Sequence, residues 1–312
     1  MYHAPVLLTE SLDALLLRPG GVYVDATFGG GGHSAAMLER LAGQGLLYAF
    51  DQDDDAEANA QHPPFAGAPG FQFIRSNFRF LKRQLRLYGV RPGAVNGILA
   101  DLGVSSHQLD TPERGFSYRF EAELDMRMNP EEPRSAAEVL NTYLADELQR
   151  VFSEYGEVRN ARTLAQACVR LREQKRFRTT GDLVGLCEPL VMGERWRYLS
   201  QVFQALRMEV NDEVGALTDF LRDALEMLAP EGRLVVMSYH SIEDRLVKNF
   251  IKTGNPEGVV EQDFYGNIGR PFVILTKKPM EPGAAEIKDN PRARSARLRV
   301  AAKPAAAGKI KK

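Results

Sequence analysis

The stretch VDATFGGGGHS, from Val24 to Ser34, limits the fold of this chain more than any other feature: a β-rich run enters four successive glycines and then a helical pattern. Glycines at a strand-to-helix turn let the backbone approach a ligand closely, and the start of the helix offers unsatisfied N–H groups to an anion. A purely structural turn would not call for four of them. Nicotinamide dinucleotide folds use G-x-G-x-x-G, whose third glycine lets helix and strand pack closely. Counting from Gly29, that position is Ser34. The departure disfavours a dinucleotide and leaves room for a nucleoside carrying a small carboxylate, the chemistry that S-adenosylmethionine presents.

The segments around this loop alternate strand with helix, the grammar of a parallel sheet with crossover helices. Strands are expected at Val22–Phe28, Leu46–Phe50, Phe71–Ile74 and Gly97–Leu102, the last running into DLGVSS. The alternation then stops, and His107 to about Arg207 reads as helix and loop. It resumes with the amphipathic run VNDEVGALTDFLRDALEML, a turn at APEG, the strand RLVVMSYHS, the helix SIEDRLVKNFIK and a final strand at RPFVILTKKP. The expected architecture is α/β: a doubly wound, Rossmann-like sheet over 1–106 and 208–312, interrupted by a helical domain at 107–207.

Composition narrows the class. With 312 residues, 44% of them hydrophobic, the chain can bury a sizeable core. No apolar run approaches the roughly 20 residues needed to cross a bilayer, and the start lacks a cleavable leader, so a soluble cytoplasmic protein without membrane association is expected. The two cysteines, Cys168 and Cys187, are far apart and outside any CxxC pairing, which points to buried free thiols rather than zinc or disulfide. A net charge of −1 argues against a nonspecific nucleic-acid coat. The end of the chain differs, because nine basic residues face one acid between Lys288 and Lys312. Lys303–Lys312 reads as a solvated tail, whereas the arginines from Arg292 to Arg299 remain candidates for phosphate contact.

Chemistry-bearing residues gather where strands are expected to end. Asp51 ends the second strand about 20 residues past the glycine loop, where an acid accepts ribose hydroxyls in folds of this type. Asp53, Asp54 and Asp55 read instead as helix-start acids. Phe78, past the third strand, could cover an adenine face, although taken alone it reads as core. Asp101 ends the fourth strand, with Ser105, Ser106 and Gln108 behind it, and a helix cap would explain this group equally well. SYHS, Ser238 to Ser241, leaves the next long strand. His240 in isolation reads as structural, yet two polar clusters at neighbouring strand ends favour a site.

These motifs together resemble a known family. HAPVLLTE, VDATFGGGGHS, DLGVSSHQLD, ERGFSY, LDMRM, FQALRMEVNDE, APEGRL, SYHSIEDRLVK and NPRARSARLR occur in the order found in the bacterial small-subunit ribosomal RNA cytosine-N4 methyltransferases, known as RsmH or MraW. The resemblance runs nearly end to end. It implies a class I methyltransferase fold whose inserted helical domain helps form the RNA site, and S-adenosylmethionine as cofactor. It further implies 16S ribosomal RNA or the small ribosomal subunit as substrate, and cofactor-binding positions at Gly31, Gly32, His33, Asp51, Phe78, Asp101 and Gln108. Phe78 and Gln108 rest on the resemblance. Three places depart from the family pattern: Asn129, where an acid is common after LDMRM, and the segments YGEVRNARTLAQACVR and RWRYLSQVFQALRM.

A cytosine exocyclic amine is a weak nucleophile because its lone pair is delocalised into the ring. The enzyme must align it with the sulfonium methyl and accept hydrogen bonds from its N–H groups. Neither a metal nor a covalent intermediate is called for. Asp101, with the carbonyls of the DLGVSS turn, is the expected acceptor, and His240 is a second candidate for orienting the base or relaying a proton. Arg292, Arg294 and Arg297 are the expected phosphate contacts, and an unpaired or flipped nucleotide is required. Three other readings compete. A methyltransferase acting on a small molecule, a protein or another RNA shares the loop, but for the first two the basic segment has no purpose. An oxidoreductase conflicts with Ser34, and a noncatalytic RNA-binding protein leaves the loop and Asp51 unexplained.

Overall fold

The computed structural model describes residues 5–260, 262 and 269–305. The chain divides into one unit of Met1–Gly103 with Gly215–Lys312 and a second of Val104–Val214. The inserted segment therefore begins a few residues before His107 and ends a few after Arg207.

In chain order the elements are α1 (Leu8–Leu15), β1 (Gly21–Asp25), α2 (Gly32–Leu41), β2 (Gly45–Asp51), α3 (Asp54–Ala60), β3 (Phe71–Arg75), α4 (Leu81–Leu87) and β4 (Val95–Asp101). The insertion follows with α5 (Ser106–Asp110), α6 (Ala136–Thr142), α7 (Ala145–Glu154), α8 (Ala161–Gln174), α9 (Thr180–Cys187) and α10 (Arg195–Val210). The chain then runs through α11 (Glu213–Met227), β5 (Leu228–Ser238), α12 (Ser241–Thr253), β6 (Val273–Ile274), α13 (Ala284–Asp289) and β7 (Arg297–Ala302). Among the described residues no helix is long and apolar enough to cross a membrane.

The sheet runs in the order β3-β2-β1-β4-β5-β7-β6. Strands β1 to β5 pair in parallel, and β7 pairs antiparallel with both β5 and β6. Parallel strands covered on both faces are apolar throughout, as in the buried ILA of β4 and the VVMS end of β5. Leu12 and Leu15 of α1, Met37 and Leu41 of α2, and Leu298 and Val300 of β7 join Tyr23, Leu47, Leu99 and Val235 in one core. The chain reverses its direction of winding between β1 and β4. In such sheets that crevice, outside the carboxyl ends of the strands, is where ligands bind.

Two expectations at the far edge need correction. APEG does not end a helix ahead of β5 but lies inside that strand, as a bulge between the pairs Val95–Leu228 and Gly97–Arg233. Glu231 there has a φ of 63°. Nor is RPFVILTKKP the last strand: only Val273–Ile274 pair, and β7 is built from the basic segment itself. Arg299 hid β7 from sequence reading, since a buried arginine breaks the apolar pattern. Its charge is answered by Asp244 on α12, which accepts from Nε at 2.6 Å and Nη2 at 3.0 Å. Burial alone would raise the Asp244 pKa, but the bonds and charges of Arg299 and Arg297 hold it below the ordinary carboxylate value. Of the expected tail, Lys303 to Lys312, only 303–305 fall within the described residues.

The second unit packs α6 to α10 around Leu140, Phe152, Leu164, Leu199 and Phe203. Cys168 and Cys187 are buried free thiols in this core, and burial pushes the Cys187 pKa up to about 12. Three family motifs meet here. Asn211 of the RMEVNDE motif accepts from the Met128 amide at 2.7 Å and donates to the Met126 carbonyl at 2.8 Å. Arg114 of ERGFSY donates to the carbonyls of Arg127 and Met128, and Arg127 grips Asp125 at 2.8 and 2.7 Å. LDMRM is thus a clamped loop, with Met126 buried at a φ of 63°. The departure at Asn129 is accommodated locally, its side chain accepting from the Glu131 amide at 3.0 Å.

Candidate active site

β1 ends at Asp25, which is buried and whose Oδ2 accepts from the Ser34 hydroxyl at 2.7 Å. Its other oxygen accepts from the Thr27 amide at 3.1 Å. Ser34, standing where a dinucleotide fold would have glycine, therefore ties the first turn of α2 back to β1. Between these anchors the glycines do different jobs. Gly29 (φ 52°) has nothing within 4 Å of where a Cβ would stand, so the loop is open to a ligand there. Gly31 (φ 78°) lies against Phe65 and Phe28, and Gly32 against Pro5, so a side chain at either would collide with protein.

Asp51 closes the loop from β2. Its Oδ2 accepts from the Gly29 amide at 2.8 Å and its Oδ1 from the Asp53 amide at 3.0 Å, leaving lone pairs on both oxygens for further donors. Burial lifts its pKa to about 6 despite these bonds. Asp53 caps α3 through the Asp55 amide, as its sequence position suggests.

Asp101 ends β4, adjacent to β1, and its amide donates to Thr27 Oγ1 at 2.7 Å. Tyr239 donates its hydroxyl to Asp101 Oδ1 at 2.8 Å, while His33 Nδ1 lies 3.8 Å from Oδ2. The opposite nitrogen of His33, Nε2, is 3.2 Å from the Val6 carbonyl oxygen, which can only accept. That bond requires a proton on Nε2, and the Nδ1 edge faces the carboxylate. Burial raises the Asp101 pKa to about 6, against the opposing pull of His33 and Tyr239. A helix cap is not its role, because Ser105 caps α5 in a box with Gln108.

The structure thus brings the glycine loop, His33, Asp51 and Asp101 to one edge of the sheet. Phe78 stands beyond β3, half-buried, its ring 5.3 Å from Phe220 on α11 in an edge-to-face contact. Gln108 belongs to the helical unit. His240 is the N-cap of α12: its Nδ1 is 3.5 Å from the Glu243 amide and its Nε2 3.2 Å from the Glu243 carboxylate. Arg292 and Arg294 lie in a short 3-10 turn before β7, with Arg294 exposed, and Arg297 pairs with Asp244 at 3.3 Å while 46% of its side chain stays exposed. Sequence reasoning missed Asp25, Thr27 and Tyr239. All three sit inside motifs that were recognised, but nothing along the chain shows that Tyr239 reaches Asp101, 138 positions away.

The sequence profile of the MraW methylase family matches residues 1–304. The chain belongs to that family. The ribosomal RNA small subunit methyltransferase H of Parabacteroides distasonis is 52% identical over 303 residues, covering 97% of both chains. The protein of the same name from Phocaeicola vulgatus is 53% identical over 304 residues, covering 97% of this chain and 98% of the relative. Family membership and the switch-point topology together make the fold that of a class I, S-adenosylmethionine-dependent methyltransferase. The MraW loop fits such a cofactor: it is open at Gly29, and it carries an acceptor for ribose hydroxyls in Asp51.

Proposed function

We propose that this MraW family member methylates the exocyclic N4 amine of an unpaired cytosine in 16S ribosomal RNA, presented as RNA or within the small ribosomal subunit. The observation that carries the reading is Asp101, an acceptor at the β1/β4 switch point, oriented by Tyr239 and facing the loop that bears His33.

Gly29 to Gly32 and Asp51 would hold S-adenosylmethionine, and Phe78 would cover its adenine. When bound, S-adenosylmethionine supplies an electrophilic methyl group on a sulfonium sulfur. Asp101 accepts a hydrogen bond from the cytosine amine, which favours the pyramidal nitrogen needed for attack and gives the departing proton a place to go. The Tyr239 hydroxyl occupies one oxygen and fixes the carboxylate plane, leaving the other for the amine. Glu243 engages both ring nitrogens of His240, which suits a group that shapes the start of α12 better than a proton relay. Arg294 and Arg297, both exposed at the start of β7, would meet phosphates together with Arg292.

The test is single turnover with purified small subunits from cells lacking the gene, followed by nucleoside mass spectrometry. N4-methylated cytidine should appear with the wild-type protein. Methylation of a different base or atom would overturn the N4 assignment, and no transfer to any ribosomal RNA would overturn the substrate.

A further inference from the structure

The helical unit carries an aromatic array that the site above does not use. Trp196, in the first turn of α10, is 58% exposed and is the only tryptophan of the chain. Tyr118 lies nearly parallel to it, with ring centroids 5.9 Å apart and planes 24° from parallel. Tyr118 in turn meets the buried Phe203 edge-to-face at 5.6 Å, which roots the array in the core. The Arg195 guanidinium carbon sits 4.2 Å from the centre of the indole. The two planes flanking the indole are also pinned by polar partners: Tyr118 OH bonds with Ser200 Oγ at 3.1 Å, and Arg195 donates twice to Glu188 Oε1, at 2.9 and 2.5 Å.

An exposed indole costs solvation, and pinning its neighbours costs side-chain entropy, so α10 would gain by carrying a polar residue at 196. Planar groups in ordered stacks, with cations alongside, are what single-stranded nucleic acid recognition uses: bases stack on aromatic and guanidinium planes while arginines meet the flanking phosphates. Arg119 and Arg197, each next in sequence to an aromatic of the array, are both exposed.

We propose that Trp196, Tyr118 and Arg195 form a stacking platform for an unpaired nucleobase of the RNA substrate, with Arg119 and Arg197 as its phosphate contacts. The proposal rests on the reading that RNA is the substrate. Trp196 and Arg195 lie in RWRYLSQVFQALRM, a segment that departs from the family pattern, whereas Tyr118 ends the ERGFSY motif.

The lone tryptophan makes the test direct. Full-length protein with S-adenosylmethionine is titrated with a ten-nucleotide unstructured pyrimidine RNA while indole fluorescence is followed. The same RNA in a duplex and an inorganic polyphosphate of matched charge serve as controls. The single strand should quench fluorescence saturably and both controls weakly. Trp196→Ala should weaken single-strand binding about tenfold and raise KM for ribosomal RNA without changing cofactor affinity or the single-turnover rate at saturating RNA. Trp196→Phe, which keeps a stacking plane, should restore most of the affinity measured by anisotropy of labelled RNA. Equal quenching by polyphosphate, or a Trp196→Ala protein with unchanged KM, would overturn the platform and leave the methyltransferase reading intact. Loss of self-association in Trp196→Ala with no effect on RNA would assign the patch to contacts between copies and also overturn it. Failure of the wild-type protein to methylate any RNA would instead remove the reading on which the platform stands.

Discussion

Carboxylates at the strand ends and carboxylates in the helical unit are treated in opposite ways. Asp25, Asp51 and Asp101 are bonded by amides and hydroxyls, with the His33 imidazole edge near Asp101, and burial raises the pKa of each. In the helical unit burial also acts on Asp125 and Asp182. There the donors prevail, Arg127 for the first and Lys175 with backbone amides for the second, and both pKa values fall. A carboxylate clamped by a cation holds a scaffold. Asp51 and Asp101, held at the strand ends without an arginine or lysine partner, keep lone pairs available to a ligand's donors, at some cost to the stability of the protein. The contrast separates chemistry from framework in a chain where both use the same residue type.

The largest expected effect is on the methyl transfer step. Asp101→Ala should lower the single-turnover rate at saturating cofactor and RNA by on the order of a hundredfold, as for other positioned acceptors. Wild-type turnover at saturation would reduce Asp101 to a binding residue and remove the difference in role between strand-end and scaffold carboxylates. Asp101→Asn, which keeps an acceptor oxygen, should fall between the two. Next is affinity: Asp51→Ala should weaken S-adenosylmethionine binding about ten- to a hundredfold, because ribose hydroxyls lose a charged acceptor. Calorimetry giving an unchanged Kd would place the ribose elsewhere. Part of that loss would arise indirectly, since the Gly29 amide also loses its partner.

Charge reversal at Arg292, Arg294 and Arg297 should raise KM for RNA several-fold and flatten its salt dependence while sparing cofactor binding. Part of any stability loss will come from Arg297, which leaves Asp244 with Arg299 alone. Identical salt profiles for mutant and wild type would confine this segment to building the sheet.

Proton linkage gives the sharpest test of the contrast. A carboxylate whose folded pKa is raised stabilises the fold below its unfolded pKa, and that contribution disappears as pH climbs through the folded value. For Asp101 the window runs from about 4 to about 6. Asp101→Asn should therefore make the ligand-free protein more stable at pH 7.5, by on the order of 1 kcal/mol, with the gain vanishing below about pH 4. Asp125 has the opposite sign, because its folded pKa is depressed. Asp125→Asn should destabilise by roughly 1–2 kcal/mol at neutral pH, and the penalty should shrink as acid protonates the wild-type carboxylate. Urea unfolding across pH measures both, and shifts of the same sign would refute the contrast. If Asp101 acts as its carboxylate, the wild-type rate should also fall on acidification with a limb near pH 6, absent in Asp101→Asn.

Much of this molecule was legible along the chain. The glycine turn with Asp51 and Asp101 following β-rich runs identified the strand ends, because local hydrophobic period and turn chemistry do not depend on distant partners. The helical insertion was visible for the same reason. What failed did so where a distant partner changed the meaning of a residue. Arg299 read as a phosphate-binding cation until Asp244 neutralised it within the sheet. Why Gly31 and Gly32 must lack side chains was likewise invisible along the chain: Phe65 and Pro5 fill the space where their Cβ atoms would stand.

Local pattern was enough to put a glycine loop and several acids at the ends of parallel strands. Packing alone settled that β1 and β4 are neighbours at the reversal of winding, that Tyr239 reaches across to Asp101, and that β7 inserts between β5 and β6. Strand order is set by which apolar faces can be covered together, a property of the whole packed core that no local pattern encodes.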